Sequence, residues 1–339
     1  MIVIGGGIAG IACARRLHAA GVPARVLERA HRLGGRMASR SEQVDGRVHP
    51  VDIGAPYFTV SDPRFAQVVE ALEAAGLVRR WTETFTLSGP TGRTGETSGP
   101  QRWSSTQGLR ALVEALAAAS DVQALDGQAL GVRALDVRLE TEVTRVEYDE
   151  AAGVARVDGE PAAAVVLAMP DPQAARLLDP ETAEALDVTG RDWSPVLTVW
   201  AAWPQRWWSA FDGMFVADSS VLSWVADSGR SRGDGAAVLV AHTTGDFAAG
   251  RLADPAAAIQ PVLAELRHVI GGPVPPPAWE RAHRWSLATA RVPHSEPFRL
   301  TGRLIGVCGD AWGPRSRVEQ AWTSGDGLAE VLLTRLAVS

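Results

Sequence analysis

Ile2-Val3-Ile4-Gly5-Gly6-Gly7-Ile8-Ala9-Gly10 opens the chain, and Glu28 follows 18 residues after Gly10. The apolar run Ile2 to Ile4 reads as a strand. The pattern through Leu17 and Ala20 reads as a helix closed by Gly21, and Ala24-Arg25-Val26-Leu27-Glu28 reads as a second strand ending in an acid. The glycines match G-x-G-x-x-G: Gly5 allows the tight turn, Gly7 lets the backbone approach a pyrophosphate, and Gly10 permits close helix–strand contact. The N–H groups of Ile8, Ala9 and Gly10 and the positive end of the helix dipole would face phosphates, and the Glu28 carboxylate would accept hydrogen bonds from ribose hydroxyls. This βαβ opening predicts an α/β, Rossmann-type dinucleotide-binding domain. The first 40 residues carry seven arginines and one acid, which reads either as a solvated face or as a positive field around a bound dinucleotide.

Further along, Val68 to Ala75 reads as a helix ended by Gly76, and the Gly-, Thr-, Ser- and Pro-rich stretch 88–101 as a turn or loop. Leu109 to Ala119 reads as an amphipathic helix. Glu142 to Val146 and Val154 to Val157 read as a hairpin, and Ala162 to Met169 as a strand buried on both faces and stopped by Pro170. Residues 193–224 hold six of the twelve tryptophans, with strands expected at Val196 to Ala202 and Val238 to His242; the cluster reads as the core of a second sheet. Pro255 to Ile270 reads as a helix, 271–277 as a hinge-like link, Arg303 to Val307 as a strand, and a final helix is expected from about Ser324.

Composition narrows the chemistry. The 339 residues carry 33 Lys+Arg against 39 Asp+Glu, and this mildly acidic balance disfavours bulk binding of nucleic acid or an acidic membrane. There is no lysine, which removes Schiff-base chemistry, Walker-type phosphate loops and a lysine general base. Cys13 and Cys308 are too few for a disulfide framework or a cysteine-based zinc site, and His18, His31, His49, His268 and His294 show no metal-ligand spacing, so no metal is expected. No signal-peptide pattern and no run of ~18 apolar residues is present, so the expectation is a soluble, cytoplasmic protein without a membrane segment.

Leu33-Gly34-Gly35-Arg36-Met37 after Glu28 resembles the second signature of glutathione-reductase-type FAD proteins, where in the amine-oxidase branch a Gly-Gly-Arg contacts the phosphates. Asp52-Ile53-Gly54-Ala55-Pro56-Tyr57-Phe58 resembles the element that passes the isoalloxazine. Met169-Pro170 resembles the end of the adenosine-side strand, and Gly309-Asp310 the acid that holds the ribityl chain. More narrowly, Tyr57-Phe58-Thr59, Arg64-Phe65, Ala241-His242-Thr243, Ala282-His283-Arg284-Trp285, Cys308-Gly309-Asp310 and Val318-Glu319-x-Ala321-Trp322-x-Ser324-Gly325 resemble bacterial renalase-like proteins, in the family's order and over nearly the whole chain.

The resemblance implies non-covalent FAD; Cys308 precedes the ribityl acid and would not easily reach the ring. The implied cofactor residues are Gly5, Gly7, Ile8, Ala9, Gly10, Glu28, Arg29, Gly35, Arg36, Met37, Gly54, Ala55, Pro56, Tyr57, Val143, Met169, Gly309, Asp310, Val318, Glu319 and Ala321. Arg317 to Trp322 would precede the final helix, whose N-terminus would face the flavin. The FAD domain is expected over 1–60, 102–180 and 276–339, with an inserted mixed α+β substrate domain over 61–101 and 181–275. The link between Ser120 and Thr141 looks longer than the family's.

The implied reaction is oxidation of the 2- and 6-dihydro isomers of NAD(P), with hydride passing to flavin N5 and the electrons to O2, giving hydrogen peroxide. Such a donor needs little acid–base help, only a ring held about 3–3.5 Å from its acceptor. Tyr57, Phe58, Trp285 and Trp322 are the expected aromatic walls, and His242 the group for the carboxamide or ribose; each Trp also reads as core packing and His242 as a core histidine. Oxidation or desaturation of a hydrophobic amine or secondary metabolite is the alternative enzyme, and an FAD-binding protein without turnover the third reading.

Overall fold

The computed structural model describes residues 1–89, 92–118 and 134–337. The end of the helix expected through Ala119, most of the long link after Ser120, and Pro90 and Thr91 lie outside the described residues.

The first sheet is built on short apolar strands. Ile2–Ile4, Val165–Leu167 and Ile305–Val307 are buried at every position, so nothing in them alternates. The order across this six-stranded sheet is Arg299–Leu300, Ile305–Val307, Val165–Leu167, Ile2–Ile4, Arg25–Leu27, Asp136–Arg138. All pairs are parallel except the first. The register is the useful fact: Ile4 lies beside Leu27 and Leu167, and Leu167 beside Val307. The four inner strands therefore stop together. Gly5, Glu28, Ala168 and Cys308 leave the sheet at one edge, the carboxyl edge at which open α/β sheets take ligands.

One face of that sheet carries the helix Ile8–Ala19 and the last helix, Val318–Leu336. The last helix begins six residues before the expected Ser324: Arg317, extended, is its cap residue, and Val318 to Trp322, expected ahead of the helix, form its first turns. Gly325 and Gly327 lie inside this helix, where tertiary packing overrides a propensity cost of about 1 kcal/mol per glycine. A Cβ on Gly325 would lie 2.0 Å from the Ala9 carbonyl oxygen, so the glycine is what lets the two helices cross. The helix expected from Val68 begins at Pro63, because Asp62 accepts from the N–H groups of Arg64 (2.8 Å) and Phe65 (3.1 Å) and Pro63 suits the first turn.

The second sheet has seven strands in the order Trp279–Ala290, Trp193–Ala202, Val238–Thr243, Leu222–Asp227, Gly213–Val216, Arg79–Gly89, Gly92–Ser104. The stretch 88–101, expected as a loop, lies mostly in its terminal hairpin. The outer strand is largely exposed, so it shows no apolar alternation and its register is set by backbone pairing. The strand Trp279–Ala290 falls after the expected division at 276 and forms the other edge of this sheet.

Smaller departures follow the same logic. The strand expected over 142–146 starts only at Val146, and the apolar run 162–169 is split between Glu160–Ala162 and Val165–Leu167. The helix expected over 255–270 is a 3-10 turn, the helix Ile259–Leu266 and a π turn.

Trp193–Ala202 alternates, and that alternation sandwiches the sheet. Leu197, Val199 and Ala201 pack with Val262, Leu263 and Leu266 of the helix Ile259–Leu266. Trp200 and Ala202 pack with Val44, Val51 and Ile53 of the hairpin Ser39–Val44/Arg47–Asp52 and the turn after it. The Trp-rich stretch divides accordingly. Trp203, Trp207 and Trp208 meet edge to face with centroids 5.4–5.7 Å apart in the outer core, whereas Trp224 turns to the opposite side.

Candidate active site

The glycine turn is an open cradle. Gly5 takes φ +114°, a conformation that strains any L side chain, and a Cβ there would lie 2.4 Å from the Ala168 oxygen. A Cβ on Gly10 would lie 2.0 Å from the Gly5 oxygen, so this glycine seats the helix on the strand. A Cβ on Gly7 would meet nothing within 4 Å. Gly7 is also the cap residue of the helix Ile8–Ala19, and no side chain caps its first turn. The free N–H groups of that turn therefore face open space, which is what a diphosphate requires.

The Glu28 carboxylate stands at the edge of this space, accepting from the N–H groups of Gly6 (2.7 Å) and Ala30 (2.8 Å). The backbone of 138–141 runs alongside it. Gly34 and Gly35 fold back so that a Cβ on Gly35 would lie 3.6 Å from Gly7 Cα; the two glycine turns face each other. Arg29 is exposed, and Met37 is a core residue under the turn. Val143 packs with Ile4, Leu27 and Leu167 beneath the carboxyl edge, with Met169 against the same cluster.

Arg36 and Asp310, expected on different parts of the cofactor, are brought together. The Arg36 guanidinium donates to Asp310 Oδ2 (3.0 Å) and Oδ1 (2.5 Å) and to the Ala288 oxygen (3.1 Å), and lies 5.1 Å over the Trp193 ring. Ser316 also donates to Asp310. The Gly309 N–H donates to Ser324 Oγ (3.0 Å), which ties this turn to the last helix.

The segment Asp52–Phe58 links the two sheets. Asp52 is buried and accepts from Ser39 Oγ (2.6 Å) and from the Leu109 N–H (2.8 Å), the start of the helix Leu109–Ala118; burial pushes its carboxyl above the usual range. A Cβ on Gly54 would lie 1.9 Å from the Arg36 oxygen, and the Ala55 N–H donates to that oxygen (2.8 Å). The Ile53 oxygen accepts from Thr198 Oγ1 (2.8 Å) and Trp285 Nε1 (3.0 Å), so the second sheet grips this segment by two side chains.

Five of the expected site residues, Phe58, Val318, Glu319, Ala321 and Trp322, are buried by packing between neighbouring elements. Phe58 is 2% exposed, stacked on Trp103 and against Phe65; Trp322 also packs on Phe65, 5.3 Å away. Both rings belong to the first sheet's core, because their neighbours on Pro63–Ala74 and the last helix cover them. Glu319 accepts from the Asp62 N–H (2.6 Å), Ser61 Oγ (2.6 Å) and the Ser61 N–H, so it braces the 60s turn. Val318 and Ala321 are buried in the same first turns of the last helix.

Tyr57 and Trp285 are only partly buried. Tyr57 stands in an aromatic cluster that sequence did not pick out: Trp81 (6.3 Å), Phe85 (5.1 Å) and Trp224 (5.7 Å) surround its ring. Thr198, His242 and Trp224 lie directly opposite one another across adjacent strands, so they share the sheet face that Ile53 and Tyr57 approach. Burial lowers His242 from 6.5 to about 4, and its Nε2 has no hydrogen-bond partner. Trp81 Nε1 and Trp224 Nε1 are likewise buried without partners.

Matches to known proteins accord with this geometry. Residues 3–72 match the NAD(P)-binding Rossmann-like domain model, and residues 82–333 match the model of flavin containing amine oxidoreductases. The chain belongs to the flavin-containing amine oxidoreductase family. Cyclohexylamine oxidase from Brevibacterium oxydans superposes with TM-score 0.74 at 15% identity over 99% of both chains. A putative protoporphyrinogen oxidase from Exiguobacterium gives 0.72 at 15% over 98% of both. Putrescine oxidase bound to putrescine gives 0.66 at 17% over 98% of both. At these identities the likeness is one of fold.

The protein is thus an FAD-dependent oxidoreductase with a Rossmann-like nucleotide-binding domain and the amine-oxidase fold. The space at Gly7, the uncapped helix and the Glu28 carboxylate fit that dinucleotide. Among the described residues no cluster of metal-binding side chains occurs, and no helix is long and apolar enough to cross a membrane.

Proposed function

We propose that this family member oxidises isomeric dihydronicotinamides, the 2- and 6-dihydro forms of NAD(P). The observation that carries this reading is that, among the described residues, the groups gathered around Tyr57 include no base poised to take a proton at neutral pH. The chain has no lysine. His242 is held at about 4, and burial pushes the Tyr57 phenol up. An amine arrives as its ammonium and must lose a proton before it can release hydride. A dihydropyridine has no such proton to lose; its ring-nitrogen lone pair expels hydride directly. FAD, held without a covalent bond, would supply the hydride acceptor and the route by which the electron pair reaches O2. In sum, dihydronicotinamide, O2 and one proton give the oxidised nicotinamide and hydrogen peroxide.

The residues hold and orient. Gly5, Gly7, Gly10, Glu28, Gly35 and Arg36 would hold the cofactor, with Gly54 to Tyr57 along its ring. We assign 1–60, 102–180 and 276–339 to that task and 61–101 and 181–275 to the substrate, with Trp279–Ala290 completing the roof. Tyr57 and Trp224 offer flat faces, and the neutral His242 offers a hydrogen bond to a carboxamide.

The test is anaerobic stopped-flow mixing of the holoenzyme with 2- or 6-dihydro-NAD, with ordinary 4-dihydro-NAD as control. Loss of the oxidised-flavin band with the isomers only is the expected result. No loss with any nicotinamide, but loss with cyclohexylamine, would replace this reading by an amine oxidase. A flavin that stays oxidised throughout would point to a protein without turnover.

A further inference from the structure

The Tyr57 cluster sits beside a charge that no neighbouring carboxylate balances. Arg102 is 6% exposed, and its guanidinium carbon lies 4.3 Å over the Phe85 ring that packs on Tyr57. It donates to the Glu83 backbone carbonyl. Among the described residues no carboxylate makes an ion pair with it. Arg232, also buried, at the end of the short helix Ser228–Arg232, pairs with Asp234 at 2.9 Å. An arginine keeps its proton at any working pH, and a lone buried cation is costly.

Its surroundings point the same way. Trp81 Nε1, Trp224 Nε1 and His242 Nε2 are buried without partners around the same rings. The field of Arg102 reaches the Tyr57 hydroxyl, where it pulls against the upward push of burial. The groups gathered here are two indole N–H donors, a phenol, a neutral imidazole and a guanidinium. Each buried donor left unpaired costs about 1–3 kcal/mol, so the site is built for acceptors. An ammonium would gain little: the Phe85 face is already covered by a guanidinium, and two like charges repel.

We propose that Arg102 recognises an anionic group of the substrate, so that the site takes a planar ring bearing, or tethered to, a carboxylate or phosphate and rejects ammonium-bearing ligands. This rests on the reading that the Tyr57 chamber is the substrate site.

Three ligands of one shape and different charge test it: benzoate, benzamide and benzylammonium, titrated into the oxidised holoenzyme and followed by perturbation of the flavin spectrum and by tryptophan fluorescence. Benzoate should bind about tenfold tighter than benzamide, the scale of one charge-assisted hydrogen bond, and benzylammonium weakest. Arg102→Gln should remove the benzoate advantage and leave benzamide unchanged, and Arg102→Lys should restore part of it. Nicotinamide mononucleotide against nicotinamide riboside runs the same comparison for a phosphate. A preference for the mononucleotide that Arg102→Gln removes assigns the anion to the phosphate; one confined to benzoate assigns it to a ring carboxylate. If neither anion is preferred, if benzylammonium binds as well as benzoate, or if Arg102→Gln changes nothing, the proposal is overturned. Should Arg102→Gln fail to fold, the charge series on the wild-type protein decides alone. Failure of dihydronicotinamides to bleach the flavin would leave this binding order intact, so the two proposals fail separately.

Discussion

The two halves of the site are made differently. At the carboxyl edge of the first sheet, the cradle is backbone: Gly5, Gly7, Gly10, Gly34 and Gly35 act by lacking side chains, and the open space lies where a Cβ on Gly7 would go. On the second sheet the chamber is side chain: Tyr57, Trp81, Phe85 and Trp224 close around one another, with buried polar atoms left unpaired. A cradle made by absences tolerates little substitution: close backbone approach fixes Gly5 and Gly10, and Gly7 leaves open the space a ligand needs. A chamber made of rings can lose one and repack. The comparison teaches that the cradle should be steep in its response to mutation and the chamber that we propose for the substrate shallow.

The largest effect is expected at Gly10→Ala. Its Cβ would fall 2.0 Å from the Gly5 oxygen, so either the helix or the strand must move. Loss of about 3 kcal/mol or more of stability and a colourless purified protein are expected, read by thermal melting and by absorbance of bound flavin. A yellow G10A protein of normal stability would break the comparison.

Gly7→Ala sharpens it. Nothing in the protein obstructs that Cβ, so the melting temperature without cofactor should stay within a few degrees of wild type. FAD affinity should nevertheless fall by roughly tenfold or more, because the methyl occupies space a diphosphate needs. Equal FAD affinity in titration calorimetry would move the cofactor away from Gly7.

Glu28→Gln should weaken FAD binding by roughly ten- to a hundredfold, the cost of one hydrogen bond to a charged group, while leaving the fold intact. Its carboxylate now accepts from Gly6 and Ala30, and an amide can replace only part of that.

On the chamber side the expected effect is smaller and depends on pH. Burial lowers His242 from its usual 6.5 to about 4. Above pH 6.5 both folded and unfolded chains hold it neutral. Between 6.5 and 4 only the unfolded chain takes up the proton, so stability falls as pH falls; below 4 the loss is complete, at up to about 3 kcal/mol. His242→Gln should flatten that part of the stability-against-pH curve, measured by denaturant melts at pH 7, 5.5 and 4.5, and change stability at pH 7 by about 1 kcal/mol or less. An unchanged slope would remove the imidazole from the buried side of the chamber.

What could be read in the sequence follows the same division. Gly5, Gly7, Gly10 and Glu28 were legible because their spacing is local: a strand, a turn and a helix fix one another within about 30 residues. The short apolar runs were also legible as strands, but that four of them end at one edge came only from their register. The hairpin spanning 79–104 was not legible, because an exposed edge strand needs no apolar alternation. Nor was the start of the last helix, which lies at Val318, six residues before the expected Ser324. Phe58 and Trp322 matched the family's motif, yet only packing tells a wall from a core ring. Arg102 carried no signal at all: an arginine in a Thr- and Gly-rich stretch reads as a solvated charge until the fold buries it over Phe85.

The sequence by itself determined the nucleotide-binding half of this protein, since dihedral demands and short-range spacing are properties of consecutive residues. The tertiary structure alone decided the aromatic chamber that we propose takes the substrate. Tyr57, Phe85, Arg102, Thr198, Trp224 and His242 meet only because two distant strand sets join one sheet and the segment after Asp52 crosses to it. Burial, which sets the neutrality of His242 and leaves Arg102 without a counter-charge, is a property of that assembly and of no residue taken alone.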